Sequence, residues 1–473
     1  MSQQKSAGSS RGSGGRLNLF RSALRGTGVD PARDPVGRAI LFLAVPMVLE
    51  MVMESIFAVV DIFFVSRLGA RSVAAVGLTE SFLTLVYTVA GGLSIGVTAM
   101  VARRMGERNP DGAADAAVQA LAIGIVFALL FGAIGFVGAP RLLAVMGAEP
   151  AVIETGSGYA RVMLSGSGII LLLFLINAAF RGAGDAAIAM RVLWLANGIN
   201  LVLDPCLIFG LGPFPAMGVT GAAVATNIGR GTAVAIQLIT LLRLDGRLQV
   251  RAQHLKLHAA VMARLVRLSA TGTLQIFIGT ASWIGLIRIL SGFGSEALAG
   301  YTIAIRVVLF ALLPAWGLAN AAATMVGQSL GARDPARAEQ AVWMAGKMNL
   351  VFLGSIGIFF MIAAPLVVAP FGGDGLTGLY AMRGLRIISS GFFFYAYGMV
   401  LTQSFNGAGA TWTPTILNLF CFWLWEIPLA WGLSHHTALR TDGVFLSVTI
   451  AFSTIAVVSA ILFRRGRWKL SVV

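Results

Sequence analysis

RAILFLAVPMVLEMVMESIFAVVDIFFVSR, residues 38–67, is apolar over a length that crosses a lipid bilayer, yet it carries three carboxylates, Glu50, Glu54 and Asp61. A charged side chain at the centre of a membrane helix costs at least ~2.5–3.5 kcal/mol, so such residues face a bundle interior or a water-filled cavity. At about 100° per residue the three acids fall within about 40° of one another on a helix, a single narrow stripe. Pro46 lies close to that stripe and removes one backbone hydrogen bond, which makes it a hinge at which the helix can bend. The segment reads as an ion-responsive, bendable membrane helix.

The rest of the chain shares its character. Of 473 residues, 57% are hydrophobic and 12% charged, a composition that excludes a soluble globular protein. Apolar runs of about 20 residues or more predict twelve spans, near 38–66, 74–102, 114–138, 155–180, 186–210, 217–242, 265–292, 298–329, 339–364, 378–405, 412–434 and 441–463. The net charge of +15 is a matter of topology and not of nucleic-acid binding. With alternating spans, only Arg67, Arg71, Arg141 and Arg440 fall in loops on the outer side, and the bias places both termini in the cytoplasm of a plasma-membrane protein, the inner membrane in a bacterium. Residues 1–37 read as a basic, disordered cytoplasmic tail on anionic lipid, 243–264 as a cytoplasmic linker and 464–473 as a second basic tail. Cys206 and Cys421 fall inside spans and imply no disulfide framework.

Shifting the sequence by 225 residues lays its halves on each other. LGARSVAAVGL (68–78) falls on FGSEALAGYTI (293–303), GLSIGVTAMVARRMGERNPDGAADA (92–116) on GLANAAATMVGQSLGARDPARAEQA (317–341), and FRGAG (180–184) on FNGAG (405–409). Equivalent positions are six spans apart, so the repeats enter the membrane in the same sense. The expected fold is an all-α integral membrane protein of twelve transmembrane helices, in two parallel six-helix lobes (38–242 and 265–463) related by pseudo-twofold symmetry.

At these motifs the chain resembles the multidrug and toxic compound extrusion family of secondary transporters. The resemblance rests on P-x14-D (Pro46, Asp61) followed by SRLGARSVAAVG, on FRGAGD (180–185), NGINLVLDPCLIFG (197–210) and TGAAVAT (220–226), and on MVGQSLGARDPARA (325–338). It covers about residues 38–463. The family implies export of drugs or other organic compounds against an inward flow of sodium ions or protons. Its bacterial members resemble one another around an acidic site in the amino-terminal lobe.

Depth points to a site without that resemblance. Asp61 and Asp204 each lie about seven residues before the outer end of their span, roughly 10 Å below the surface at about 1.5 Å per residue. Thr226 on the returning span reaches a similar level, and Asn200 is one turn below Asp204. Asp61, Asn200, Asp204 and Thr226 would therefore supply hard oxygen ligands to a sodium ion or a shared proton. Glu50, Glu54, Asn177 and Asn197 are further candidates for a cation relay or for substrate contact, and Glu80 could join the site or simply approach the interface.

In the second half Glu50, Glu54 and Asp61 fall on Gln275, Gly279 and Leu286, so the equivalent helix has no acids. Some relatives carry a carboxylate where Gly279 stands, so its absence counts against a cation site of that kind. Glu426 could meet a cationic aromatic compound with Trp423 and Trp425, or be paired within the bundle. The leading expectation is a cation-coupled antiporter of amphipathic or cationic organic compounds working by alternating access. The alternative is a flippase or dedicated exporter of a lipid-linked or metabolite substrate, which calls for several cationic residues in the cavity. An enzyme is not expected: His254, His258, His435 and His436 lie at membrane edges, with no metal-ligand or Ser/His/Asp pattern among the spans. The expected partners are a small organic substrate and membrane lipid, with no nucleic acid and no cofactor beyond the coupling ion, in a monomer.

Overall fold

The computed structural model describes residues 13–31, 33–243, 246–371, 375–471 and 473. Every regular element among them is helical. The first half runs α2 (Val36–Ser66), α3 (Ala70–Gly106), α4 (Pro110–Val145), α5 (Pro150–Ser165) with α6 (Ser167–Ala183), α7 (Ala186–Phe209) and α8 (Val219–Leu242), after a short α1 (Ser13–Arg25). The second half runs α9 (Ala259–Ser291), α10 (Ser295–Gly331), α11 (Pro335–Val368), α12 (Gly375–Ser390) with α13 (Phe392–Gly407), α14 (Trp412–Asn418) with α15 (Ile427–His436), and α16 (Thr441–Arg464). A π-helical segment, Leu419–Glu426, joins α14 to α15.

Among the described residues ten helical stretches are long and apolar enough to span a membrane, and the pair α12–α13, bent by 58°, is an eleventh. The remaining predicted span, α8, is 24 residues long but carries Asn227, Arg230 and Gln237, which lower its apolar character. Its polar residues turn inward to other helices, so the fold keeps its twelve-span, two-lobed plan. The repeat corners behave alike: Gly184 (φ +87°) and Gly409 (φ +81°) close α6 and α13 in the left-handed conformation that favours glycine.

The lobes meet at the end of the bundle that carries both termini. There α3 packs on α9 so closely that a Cβ on Gly92 would collide with the Thr273 backbone, and a Cβ on Gly317 of α10 would sit 2.6 Å from the Met47 carbonyl oxygen of α2. Small residues permit this approach where side chains would hold the helices apart.

The amino-terminal tail is partly helical where disorder was expected. Residues 1–12 lie outside the described residues, but α1 is a helix, Ala23 and Val29 are buried, and Arg337 Nη2 donates to the Pro31 and Asp34 carbonyls at 2.7 and 2.6 Å. The segment is thus anchored at Ala23, Val29 and Val36, whose apolar side chains find a surface that a basic composition does not reveal. The carboxy-terminal tail is also docked: Trp468 is buried, Lys469 Nζ lies 2.6 Å from Glu339, and Arg103 donates to the Ser471 carbonyl. Among its described residues the linker holds one short 3-10 turn (Ala252–Leu255), and it ends earlier than expected, since α9 begins at Ala259. Arg247 in that linker is 3.5 Å from Asp185 at the α6–α7 corner; burial lifts the Asp185 carboxyl above its ordinary range, and Arg247 opposes the lift.

Candidate functional site

Three polar groupings occupy the interior of the first half. In the one nearest the outer-loop end, Asn200 on α7 donates from Nδ2 to Asp204 Oδ1 and to Thr226 Oγ1 on α8, each at 3.2 Å. Asp204 is fully buried (0% exposed), and its Oδ2 and the Asn200 Oδ1 have no hydrogen-bond partner. Two orphaned buried oxygens at one place are costly unless something fills the gap between them. Asp61 on α2 is near enough to Asp204 for their charges to interact. Thus α7 and α8 bring Asn200, Asp204 and Thr226 together, and Asp61 stands on the wall of a cavity that Thr226 also lines.

That wall encloses a cavity of about 220 Å³ lined by α2 (Phe57, Asp61), α3 (Glu80, Leu83, Thr84, Tyr87), α5 (Tyr159, Met163) and α8 (Thr226, Arg230). Of the two places open to Glu80, it takes the cavity, where α3 turns its acid toward α2 and α8. Arg230, which the sequence reading did not single out, donates from Nη1 to Tyr87 Oη at 2.7 Å and from Nη2 to Glu54 Oε1 at 3.4 Å. Its guanidinium also stands over the Phe57 ring, 5.3 Å from the centroid.

One to two turns further along α2, Glu50 accepts from Arg181 Nη1 at 2.9 Å and from Asn177 Nδ2 at 3.3 Å, while Gln237 Nε2 donates to Asn177 Oδ1 at 2.5 Å. Glu50 and Glu54 therefore each meet an arginine. One missed signal was present in the sequence: an arginine inside an apolar span is as costly as an aspartate, and Arg230 satisfies the criterion that selected the acids, whereas Arg181 stands one residue beyond the expected 155–180 span, in the last turn of α6. Asn197 is buried with its Nδ2 unpartnered and joins none of the three groupings. Pro46 is buried within an α2 that stays helical throughout.

Glu426 lies in the other lobe, buried at the end of the π-helical segment. Trp423 and Trp425 do not share its cavity; Trp423 donates to the Ile278 carbonyl at 3.0 Å, and both residues are exposed. The pairing of Glu426 with these rings around an aromatic cation is therefore not formed, since residues one and three positions away point to other faces. Among the described residues no three His, Cys, Asp or Glu side chains are grouped to hold a metal ion. The amide, hydroxyl and carboxylate oxygens at Asn200, Thr226 and Asp204 are instead suited to a hard monovalent cation or a proton.

Two repeated six-helix lobes packed at one end, with a polar cavity in the opposite half of one lobe, define a polytopic membrane transporter. The chain belongs to the MatE family, whose sequence profile matches residues 46–206 and 274–431, one block in each lobe. It is similar to the probable multidrug resistance protein YoeA of Bacillus subtilis, 26% identical over 89% of this chain and 92% of that protein. The probable multidrug resistance protein NorM of Thermotoga maritima is 25% identical over 96% and 97%. Among solved structures, one described as the outward-facing conformation of a multidrug resistance MATE family transporter matches with a TM-score of 0.87 and 27% identity, covering 94% of this chain and 99% of that one.

Proposed function

We propose that this chain is an antiporter that exports amphipathic or cationic organic compounds against an inward flow of protons or sodium ions. It works in a bacterial inner membrane as a monomer, with both termini in the cytoplasm. The coupling ion binds at Asp204, Asn200 and Thr226 with Asp61 beside them. The observation that carries this reading is the pair of orphaned oxygens, Asp204 Oδ2 and Asn200 Oδ1, in a lobe whose deeper acids are already matched to arginines.

In that orientation the closed end is cytoplasmic and the 220 Å³ cavity belongs to the outward-facing state. Loading with the cation removes repulsion between Asp61 and Asp204. Helix α2 can then repack about Pro46, shrinking the cavity and expelling the substrate. A ligand shifts such an equilibrium only through its differential affinity for the two shapes, so cation and substrate compete. Glu50, Asn177 and Arg181 hold the lower part of α2 against α6, and Glu54 with Arg230 borders the substrate space. Uptake of a fluorescent organic cation into inverted vesicles, under an imposed proton gradient and then a sodium gradient, tests the reading. One gradient should drive uptake; no uptake under either would overturn it.

A further inference from the structure

The fold builds its cavity twice. In the second lobe a cavity of about 20 Å³ is lined by Leu286, Ile305, Val308, Leu309, Leu312 and Ile388, among others. These six are the 225-residue equivalents of Asp61, Glu80, Leu83, Thr84, Tyr87 and Met163, all of which line the first-lobe cavity. At the equivalent positions every polar group has been replaced by an aliphatic one. Polarity returns from elsewhere: Glu426 at the end of the π-helical segment, Tyr301 on α10 and Tyr395 on α13. Their equivalents in the first half are Leu201, Val76 and Ile170.

All three are almost completely buried, at 2%, 3% and 2% exposure, and Glu426 Oε2, Tyr301 Oη and Tyr395 Oη each lack a hydrogen-bond partner. Three orphaned oxygens from three helices around one cavity are not accounted for by packing. Thr449, which stands near Tyr395, donates to the Ile387 carbonyl at 2.9 Å. The titratable groups facing Glu426 are these two tyrosines and Cys421 on its own strand of helix. Trp283 and Leu286 of α9, Ile388 of α12, and Val448 and Phe452 of α16 contribute no charge. Among the described residues no cationic side chain acts on Glu426, unlike Glu50 and Glu54. A π-helical turn within an α-helical span is itself a feature that recurs at functional sites.

We propose that the second-lobe cavity is a binding site for one proton, carried by the Glu426 carboxylate and shared through a single water with the Tyr301 and Tyr395 hydroxyls. The volume suits one water and little more. A metal cation gathers six or so oxygens, and the 20 Å³ cavity has no room for the waters that would complete that shell, whereas the 220 Å³ first-lobe cavity has. On uptake Glu426 gains an O–H bond and its buried charge is removed; on release the proton leaves to water, and nothing is oxidised or reduced. The site stands apart from Asp204 and does not require that residue to be the coupling group.

Infrared pH-difference spectra of the purified full-length protein in lipid nanodiscs test it. Wild type should show a protonated-carboxyl C=O band that is lost in Glu426→Gln, kept in Asp204→Asn and indifferent to sodium at fixed pH. Should Glu426→Gln fail to fold, the Tyr301→Phe/Tyr395→Phe double variant should keep the band at a shifted frequency. A band unchanged in Glu426→Gln, unshifted in the tyrosine variant, or displaced by sodium would overturn the proposal. Loss of gradient-driven uptake with this band intact would instead tell against the antiport reading alone.

Discussion

The two lobes share one backbone plan and divide their polar groups differently. In the first, Glu50 meets Arg181 and Glu54 meets Arg230. At the equivalent positions of the second stand Gln275 with Asn406 and Gly279 with Ile455, so the acid and the base of each pair are missing together. The arginines of the first lobe thus serve its deep glutamates, because a buried carboxylate without a cation is far costlier than the pair. Asp204, held by an amide and within electrostatic reach of Asp61, has no such partner. Matched charges hold helices in place; the unmatched one is free to respond to an ion.

The largest effect should come from removing the unmatched charge. Asp204→Asn keeps size and hydrogen bonding but cannot exchange charge, so gradient-driven export in vesicles should vanish while the protein remains folded and inserted; Asp61→Asn should behave alike. Export at the wild-type rate and gradient dependence would remove that residue from the site. Next, Arg181→Leu strands the buried Glu50 and should cost about 3–5 kcal/mol in thermal unfolding of the solubilised protein, most of it regained in Arg181→Leu/Glu50→Gln. Asn406→Ala, its second-lobe counterpart, loses an ordinary hydrogen bond to Gln403 (2.7 Å) and should cost only about 1 kcal/mol. Equal losses in the two lobes would break the distinction between them.

A subtler difference concerns motion. Pro46 falls on Thr271 at the repeat offset, so only the first lobe has a proline at this level. Pro46→Ala should restore a helix hydrogen bond, slow transport and leave cation binding to the purified protein intact; loss of both together would deny Pro46 a hinge role. The smallest contrast is where the lobes agree. Gly184→Ala and Gly409→Ala both force a side chain into the left-handed conformation, and each should lower the unfolding midpoint through a loss of about 1–2 kcal/mol.

Much of this was legible in the sequence. Span positions followed from apolar length, the two lobes from the repeat, and the Asn200–Asp204–Thr226 grouping from depth and helical face, because those follow from a single helix and its direction. The arginine partners, the inward turn of Glu80 and the separation of Glu426 from Trp423 and Trp425 depend on which neighbour a face meets. Helical periodicity does not supply that. Likewise α1 has little apolar length, and only the surface it docks on makes it a folded element.

The competition between cation and substrate is the centre of this account. Substrate affinity of the purified protein, measured by titration across a range of pH at fixed sodium and across a range of sodium at fixed pH, addresses it directly in wild type and Asp204→Asn. Wild-type affinity should fall as one of the two cations rises, and the dependence should disappear in Asp204→Asn. A wild-type affinity indifferent to both cations would contradict the account.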